Sequence, residues 1–319
     1  MRYLRMIYDL FVKFDGKELL CEYVKTGFIF RLPFQLLASG ISKKGLEILR
    51  LSAQLQLYKY IKKKYSAFVD EIDFDHELIH EHSNKVWVCW FQGLNKETPT
   101  VVKRCIQSMY EKLHNKEVIL LTDENFLEYV SMPDYILKKY KEGIISKTHM
   151  TDLLRLELLI KYGGTWIDAT VLCTDEIPSY ILESDLFLFQ NLKPGRDGDA
   201  VALSSWFIAA KSHNKILMCT QKLIYEYWKR NKGLIDYFLI HNFLRISLER
   251  FPEEEAKIIK FPNSTPHILL LDMFEPFDNN KWNAIKQMSP IHKLAYKRSK
   301  EEMRKNGTFY DEIINKGKI

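Results

Sequence analysis

From Lys85 onward, short apolar runs alternate with segments whose apolar residues recur every three or four positions. The runs VWVCWF, EVILLTDEN, GTWIDATV, DLFLFQN and SSWFIAA predict strands. The segment TPTVVKRCIQSMYEKL predicts a helix, with Pro99 near its first turn and Val102, Ile106 and Met109 along one side. Further helices are expected near Pro133 to Glu142, through Asp152, and from the end of SSWFIAA to about Arg230. This alternation predicts an α/β fold, a mostly parallel sheet covered by helices. In such sheets ligands gather beyond the carboxyl ends of the strands.

The first 83 residues follow a different pattern and predict an N-terminal helical region (1–83) ahead of the α/β region (84–319). Leu46, Leu49, Leu57 and Ile61, backed by Lys62, Lys63 and Lys64, suit either an amphipathic helix on an anionic surface or a helix packed on the following domain. The segment closes in VDEIDFDHELIHEHSN, where His76, His80 and His82 have no fixed ligand spacing and predict a polar hinge.

The stretch KYGGTWIDATV concentrates the candidate chemistry. Gly163 and Gly164 end a helix that Ser146 or Thr148 can cap, and the next strand carries Asp168 to its far end. A carboxylate at the mouth of a buried strand is costly unless it meets a cation, a donor or a metal. Asp152 and Arg155, three apart on the preceding helix, share one face, either as an intrahelical ion pair on a solvated surface or, with Asp168 on the adjoining strand, aimed at the same rim. Trp90 with Gln92 and Gly93, Asp123, and Gln190 with Asn191 also fall at or just past strand ends. One mouth can therefore collect them.

The run ISKTHMTDLLRLELLIKYGGTWIDATVLCTDEIP, with KVWVCWFQG upstream and SSWFIAA and SPIHKLAYK downstream, resembles the capsular polysaccharide synthesis proteins. These are bacterial glycosyltransferases related to glycosyltransferase family 32 and, more distantly, to the sugar-transferring domains of large clostridial toxins. The resemblance covers about residues 84 to 298 and implies a GT-A-type, Rossmann-like mixed sheet flanked by helices. It implies transfer of a hexose, galactose or glucose favoured, from a UDP-sugar to a lipid-linked capsular or exopolysaccharide repeat unit, with retention at the anomeric carbon. It also implies Mn2+ or Mg2+ at an Asp-x-Asp motif, here Asp168-Ala169-Thr170, in which the second acid is a hydroxyl and one negative charge is lost.

By the same resemblance, Asp168 and Thr170 are the expected metal site, and His292, with Lys293 and Lys297 beside it in the sequence, is expected at the metal or the diphosphate unless it is a plain surface or core residue. Asp152 is matched to sugar hydroxyls and Trp90 to the uracil ring, unless Trp90 is a core residue; Arg155, by its fork of donors, suits either a phosphate oxygen or the orientation of the neighbouring acids. Gln92, Gly93, Gln190 and Asn191 complete the donor side. Trp206 is either an acceptor platform or core. Asp236 and His241, in an apolar helical run, are either general bases or groups that cap and cross-link helices. The loop LKPGRDGDA predicts a mobile lid over the donor.

Composition narrows the alternatives. With 46% hydrophobic and 13% aromatic residues, the 319-residue chain is not a disordered protein. Five scattered cysteines set in apolar runs predict reduced core residues. No run reaches the roughly 18 to 20 apolar residues of a membrane span, and the start lacks a cleavable signal pattern, so a cytoplasmic protein is expected. Basic and aromatic residues concentrate in MRYLRMIYDLFVKF and KKGLEILRLSAQLQLYKYIKKKY, which predicts peripheral attachment to the inner face of the plasma membrane. Nucleic-acid binding is not expected, since the basic clusters are interleaved with leucines and lack a binding motif. The runner-up is a catalytically decayed nucleotide-sugar-binding or scaffold protein. A metal-dependent nucleotidyltransferase ranks last, for want of a glycine-rich phosphate loop.

Overall fold

The computed structural model describes residues 16–74, 81–192 and 203–319. Three helices come first: α1 (Gly16–Thr26), α2 (Leu32–Ser39) and α3 (Lys43–Glu71). Strands β1 (Lys85–Cys89) and β2 (Glu117–Leu121) enclose helix α4 (Thr100–Lys112). Helices α5 (Asp134–Lys141) and α6 (Lys147–Tyr162) lead to β3 (Gly164–Ile167) and β4 (Val171–Cys173). Then come β5 (Leu186–Gln190), β6 (Leu203–Ala210), α7 (Lys215–Arg230), α8 (Leu239–Arg250), α9 (Asn279–Met288) and β7 (Ile291–Lys293).

The main sheet runs in the order β2-β1-β3-β6-β5. β1 is parallel to both β2 and β3, while β6 is antiparallel to β3 and to β5, so β6 alone runs against the other four. The sheet is therefore mixed, as expected of the GT-A-type reading, with four strands running one way and β6 against them. β5 and β6 are neighbours in the chain and pair directly, whereas each parallel pair is separated by helix, as parallel crossovers require. Because β6 is reversed, its amino end lies at the same edge as the carboxyl ends of β1, β3 and β5.

Both faces of the sheet are covered. Trp87, Trp166, Leu188 and Ile208 pack with α6, α7 and α8 on one face; Val86, Val88, Phe187 and Phe207 pack with Val102, Ile106 and Met109 of α4 on the other. The run GTWIDATV, which reads as one strand, is two. A turn closed by the Val171 N–H on the Asp168 carbonyl (3.0 Å) separates β3 from β4, and β4 pairs with β7 in a second, antiparallel sheet.

The long helix α3 packs on the α/β region. Leu57, Ile61 and Tyr65 are each 1% exposed and join the core that α7 and α8 share. Its carboxyl end is fastened by Arg250, whose guanidinium donates to the Val69 and Ile72 carbonyls. Of the two arrangements the leucine stripe allowed, packing is the one found: Leu49, Leu57 and Ile61 face inward. The exposed apolar side chains of this region are instead Leu20 and Val24 on α1, Phe30 in the connecting turn, Phe34 and Leu37 on α2, and Ile48, Leu51 and Leu55 on the outer side of α3. Among the described residues no helix is long and apolar enough to cross a membrane. His76 and His80 of the expected hinge, and residues 193–200 of the expected lid, lie outside the described residues.

The α6 to β3 junction is tight at the backbone. Gly163 and Gly164 have φ of 68° and 93°, and a Cβ on Gly164 would stand 2.4 Å from the Lys85 carbonyl oxygen of β1. Gly164→Ala meets both the left-handed penalty and an immovable backbone atom, so it is expected to destabilise the fold by about 2 kcal/mol or more. The check is a lower urea midpoint with an unchanged slope.

Candidate active site

The site begins with helix α6. The Ser146 hydroxyl caps it by accepting from the His149 N–H, and Gly163 ends it. His149, Asp152 and Arg155 follow at spacings of three, so they line one face, which turns toward the β3 end of the sheet. Strand alternation places Trp166 and Asp168 on the sheet face that meets this helix.

Arg155 is 4% exposed and draws these elements together. Its Nη2 lies 3.3 Å from Asp152 Oδ1 and 3.6 Å from Asp168 Oδ1. Its Nη1 donates to the Ser205 carbonyl of β6, its Nε donates to the Thr151 carbonyl at 3.2 Å, and its guanidinium carbon stands 5.0 Å from the Trp166 ring centroid. Asp152 Oδ2 is 3.2 Å from His149 Nδ1.

Asp168 is held from every side. Oδ1 accepts from the Trp166 indole N–H at 3.0 Å, and Oδ2 accepts from Lys293 Nζ at 2.7 Å. The same Nζ donates to Thr170 Oγ1 at 2.7 Å. Burial acts most strongly on the Asp168 carboxyl and opposes its ionisation. Lys293 and Arg155 together outweigh that opposition and hold it below the ordinary carboxylate range.

The β4–β7 pairing decides which residue of SPIHKLAYK reaches Asp168. Lys293 stands opposite Val171 and His292 opposite Leu172, so alternation sends the two side chains to opposite faces. His292 is fully buried, with Nε2 3.1 Å from Thr174 Oγ1 and its ring against Trp282. The metal position expected of His292 is therefore corrected: Lys293, read in the sequence only as a basic neighbour, is the residue on Asp168 and Thr170.

Other expected residues fall around this centre. Trp90, half-buried at the end of β1, stands edge-on to Tyr296 at 5.4 Å, and its indole N–H has no partner among the described residues. Gln92 and Gly93 form the turn after it, with Gly93 N–H on the Trp90 carbonyl at 2.8 Å. Asp123 accepts from Tyr140 and Lys147, each at 2.6 Å. His241, in the first turn of α8, sets Nε2 3.3 Å from Ser205 Oγ, while its Nδ1 has no partner among the described residues.

Asp236 is not in the helix expected to carry it. It occupies the preceding turn, where its carboxylate accepts from the Phe238 N–H at 2.7 Å. Tyr237 rims the same mouth, its ring 5.9 Å from that of His149. Partial burial first, then the charges of Asp152 and Asp168, hold its hydroxyl above the ordinary tyrosine value, against Arg155.

Gln190 and Asn191 end β5, two strands away from β3. Asn263 links this edge to β6, donating to Asn191 Oδ1 at 3.1 Å and accepting from the Trp206 indole N–H at 2.9 Å. The sugar platform expected at Trp206 needs an open ring face. Trp206 is 7% exposed and stacks on Phe189 at 4.6 Å, so its ring belongs to the core.

The residues present do not fit the divalent cation that the resemblance implies. A hard cation such as Mg2+ takes six oxygen ligands, of which the protein supplies one or two carboxylates whose oxygens are free to reach it. Here both oxygens of Asp168 already have donors, Thr170 is neutral and bonds the same ammonium, and His292 faces away. No group of three or more His, Cys, Asp or Glu among the described residues could hold a metal.

His241, half-buried, and His292, fully buried, give the fold a pH dependence. Burial pulls His241 from 6.5 to about 4 and His292 from 6.5 to about 3. Both are neutral when folded, so their stabilisation is complete above pH 6.5 and is lost as pH falls from 6.5 toward those values. For His241, a fall from 6.5 to about 4 corresponds to roughly 3 kcal/mol. Urea unfolding at a series of pH values is expected to show this decline, and His241→Gln is expected to flatten the part between pH 6.5 and about 4.

Comparison with known proteins adds one assignment. No curated protein matches the chain. Among solved structures, the PaToxG glycosyltransferase aligns over 81% of this chain and 95% of its own, at 14% identity and a TM-score of 0.36. A family profile described as capsular polysaccharide synthesis protein matches residues 41–313, which contain every residue of the site described above. The chain belongs to the capsular polysaccharide synthesis protein family.

Proposed function

We propose that this chain is a glycosyltransferase that moves a hexose, galactose or glucose, from a UDP-sugar to a lipid-linked capsular or exopolysaccharide repeat unit, with retention. One observation carries the reading. Two carboxylates, Asp152 and Asp168, and two cations, Arg155 and Lys293, converge at the ligand-binding edge of an α/β sheet, in a chain of a capsule-synthesis family.

Transfer of a sugar from a nucleoside diphosphate breaks the bond between the anomeric carbon and a phosphate oxygen, and the electron pair leaves with the diphosphate. Positive charge grows on the sugar ring and negative charge on the leaving group, so the site must offer carboxylates to one and cations to the other. Asp152 faces the sugar hydroxyls; Arg155 and Lys293 face the phosphates; Trp90 takes the uracil ring. With retention, the acceptor hydroxyl bonds the anomeric carbon from the leaving-group side and its proton passes to the departing phosphate oxygen. A separate base is not required. Burial holds His241 below the ordinary histidine value, so it is a poorer proton acceptor than a free imidazole.

Thr170, a hydroxyl where the motif has a second acid, favours the scaffold reading instead, in which the donor is bound but not cleaved. Release of UDP from UDP-glucose or UDP-galactose, with a lipid-linked acceptor present, decides between them. Asp168→Asn is expected to lower that release by at least about a hundredfold. Tight UDP binding without release on any acceptor is the scaffold outcome.

Attachment to the inner face of the plasma membrane suits a lipid-linked acceptor. Phe30, Phe34 and Leu37 are exposed beside Lys25, Arg31, Lys43 and Lys44, a mixture of apolar and cationic groups that matches an anionic bilayer. Phe34→Asp with Leu37→Asp is expected to weaken sedimentation with phosphatidylserine vesicles by about tenfold or more, with UDP binding unchanged.

A further inference from the structure

We infer that Lys293 is the resident cation of this site, and that the chain binds its nucleoside diphosphate without a divalent metal. The inference rests on the proposed nucleotide-sugar chemistry and deepens it.

The argument is one of charge and register. A motif with two acids presents two negative charges and calls for a divalent ion. This chain presents one, Asp168, with the neutral Thr170 in place of the other. A single ammonium bridges the two positions, Lys293 Nζ lying 2.7 Å from Asp168 Oδ2 and 2.7 Å from Thr170 Oγ1. One acid has been lost and one monovalent cation gained, so the pair is neutral as it stands. A divalent ion entering between the same oxygens would meet the ammonium at close range and lose the donor oxygens it occupies.

Lys293 is also placed by the fold, and not by chance rotation of a surface side chain. Its backbone is paired in β7 with Val171 of β4, and the Leu294 N–H bonds the Thr170 carbonyl at 2.9 Å. Its side chain is 19% exposed, so the ammonium sits in the wall of the mouth yet reaches it. An ammonium has three N–H donors; two are spent on Asp168 and Thr170, which leaves the third for a phosphate oxygen. Arg155 lies on the other side of the same carboxylate, 3.6 Å from Asp168 Oδ1. Farther along the segment, Tyr296 packs against Trp90, and Lys297 sets its ammonium 5.9 Å from the Tyr296 ring. Cations thus run from Asp168 toward the side of the mouth where Trp90 stands.

The test measures UDP binding by calorimetry and by thermal shift, in EDTA and in excess manganese, on the full chain. Wild type is expected to bind UDP equally well in both. Lys293→Met, which keeps the aliphatic stem and removes the charge, is expected to weaken binding in EDTA by about tenfold or more. Adding Thr170→Asp to Lys293→Met restores the two-acid motif without the ammonium, and is expected to make UDP binding respond to manganese. The inference is overturned if wild type binds UDP only with manganese, or if Lys293→Met binds it in EDTA as well as wild type does. The wild-type comparison decides the dependence on metal even if a variant fails to fold. Absence of UDP binding in both buffers would instead overturn the glycosyltransferase reading, and this inference with it.

Discussion

A buried guanidinium organises this protein. Arg155 cannot be left without partners in the core, because an unpaired cation there costs several kcal/mol. Its partners come from three places: Thr151 and Asp152 on its own helix, Asp168 at the end of β3, and the Ser205 carbonyl at the start of β6. Satisfying one side chain therefore fixes α6 against two adjacent strands. It also brings two carboxylates together that would otherwise repel each other, so the anionic side of the mouth exists only because Arg155 is inside it. The flat fork of donors suits this role better than a lysine would, and the Trp166 ring beneath it covers what the hydrogen bonds leave open.

Much of this was legible along the chain. Asp152, Arg155 and Asp168 lie within seventeen consecutive residues, on a helix with a visible cap at Ser146, a visible stop at Gly163 and a strand directly after it. Local signals sufficed to aim them at one rim. Lys293 was not legible in the same way, since it comes from a strand 125 residues beyond Asp168. Choosing it over His292 requires the register of a three-residue strand, too short to show a period. Asp236 was misplaced because the apolar run GLIDYFLIHNFLRI does not reveal where the turn ends and the helix begins. The leucines of α3 gave the period of an amphipathic helix but not its partner, which turned out to be α7 and α8.

The reversed strand β6 and the split of GTWIDATV work together. Reversal brings the amino end of β6 to the binding edge, where Ser205 can meet Arg155 and His241. The split lets the chain leave the main sheet immediately after Asp168, so that Thr170 faces a different sheet from the one that ends at Ile167. A continuous strand would have carried residues 169 to 171 past the edge of the sheet and away from any partner strand on the C-terminal side. The short turn at Asp168 is thus what allows two sheets to contribute to one small site.

The pairing of β7 with β4 carries a temporal consequence. During synthesis the segment through Asp168 leaves the ribosome long before residue 293 does, and the core around α6 can form in that interval. The mouth, however, keeps an uncompensated carboxylate until the late strand docks and delivers its ammonium. Completion of the mouth's charge is in this way coupled to docking of the C-terminal layer.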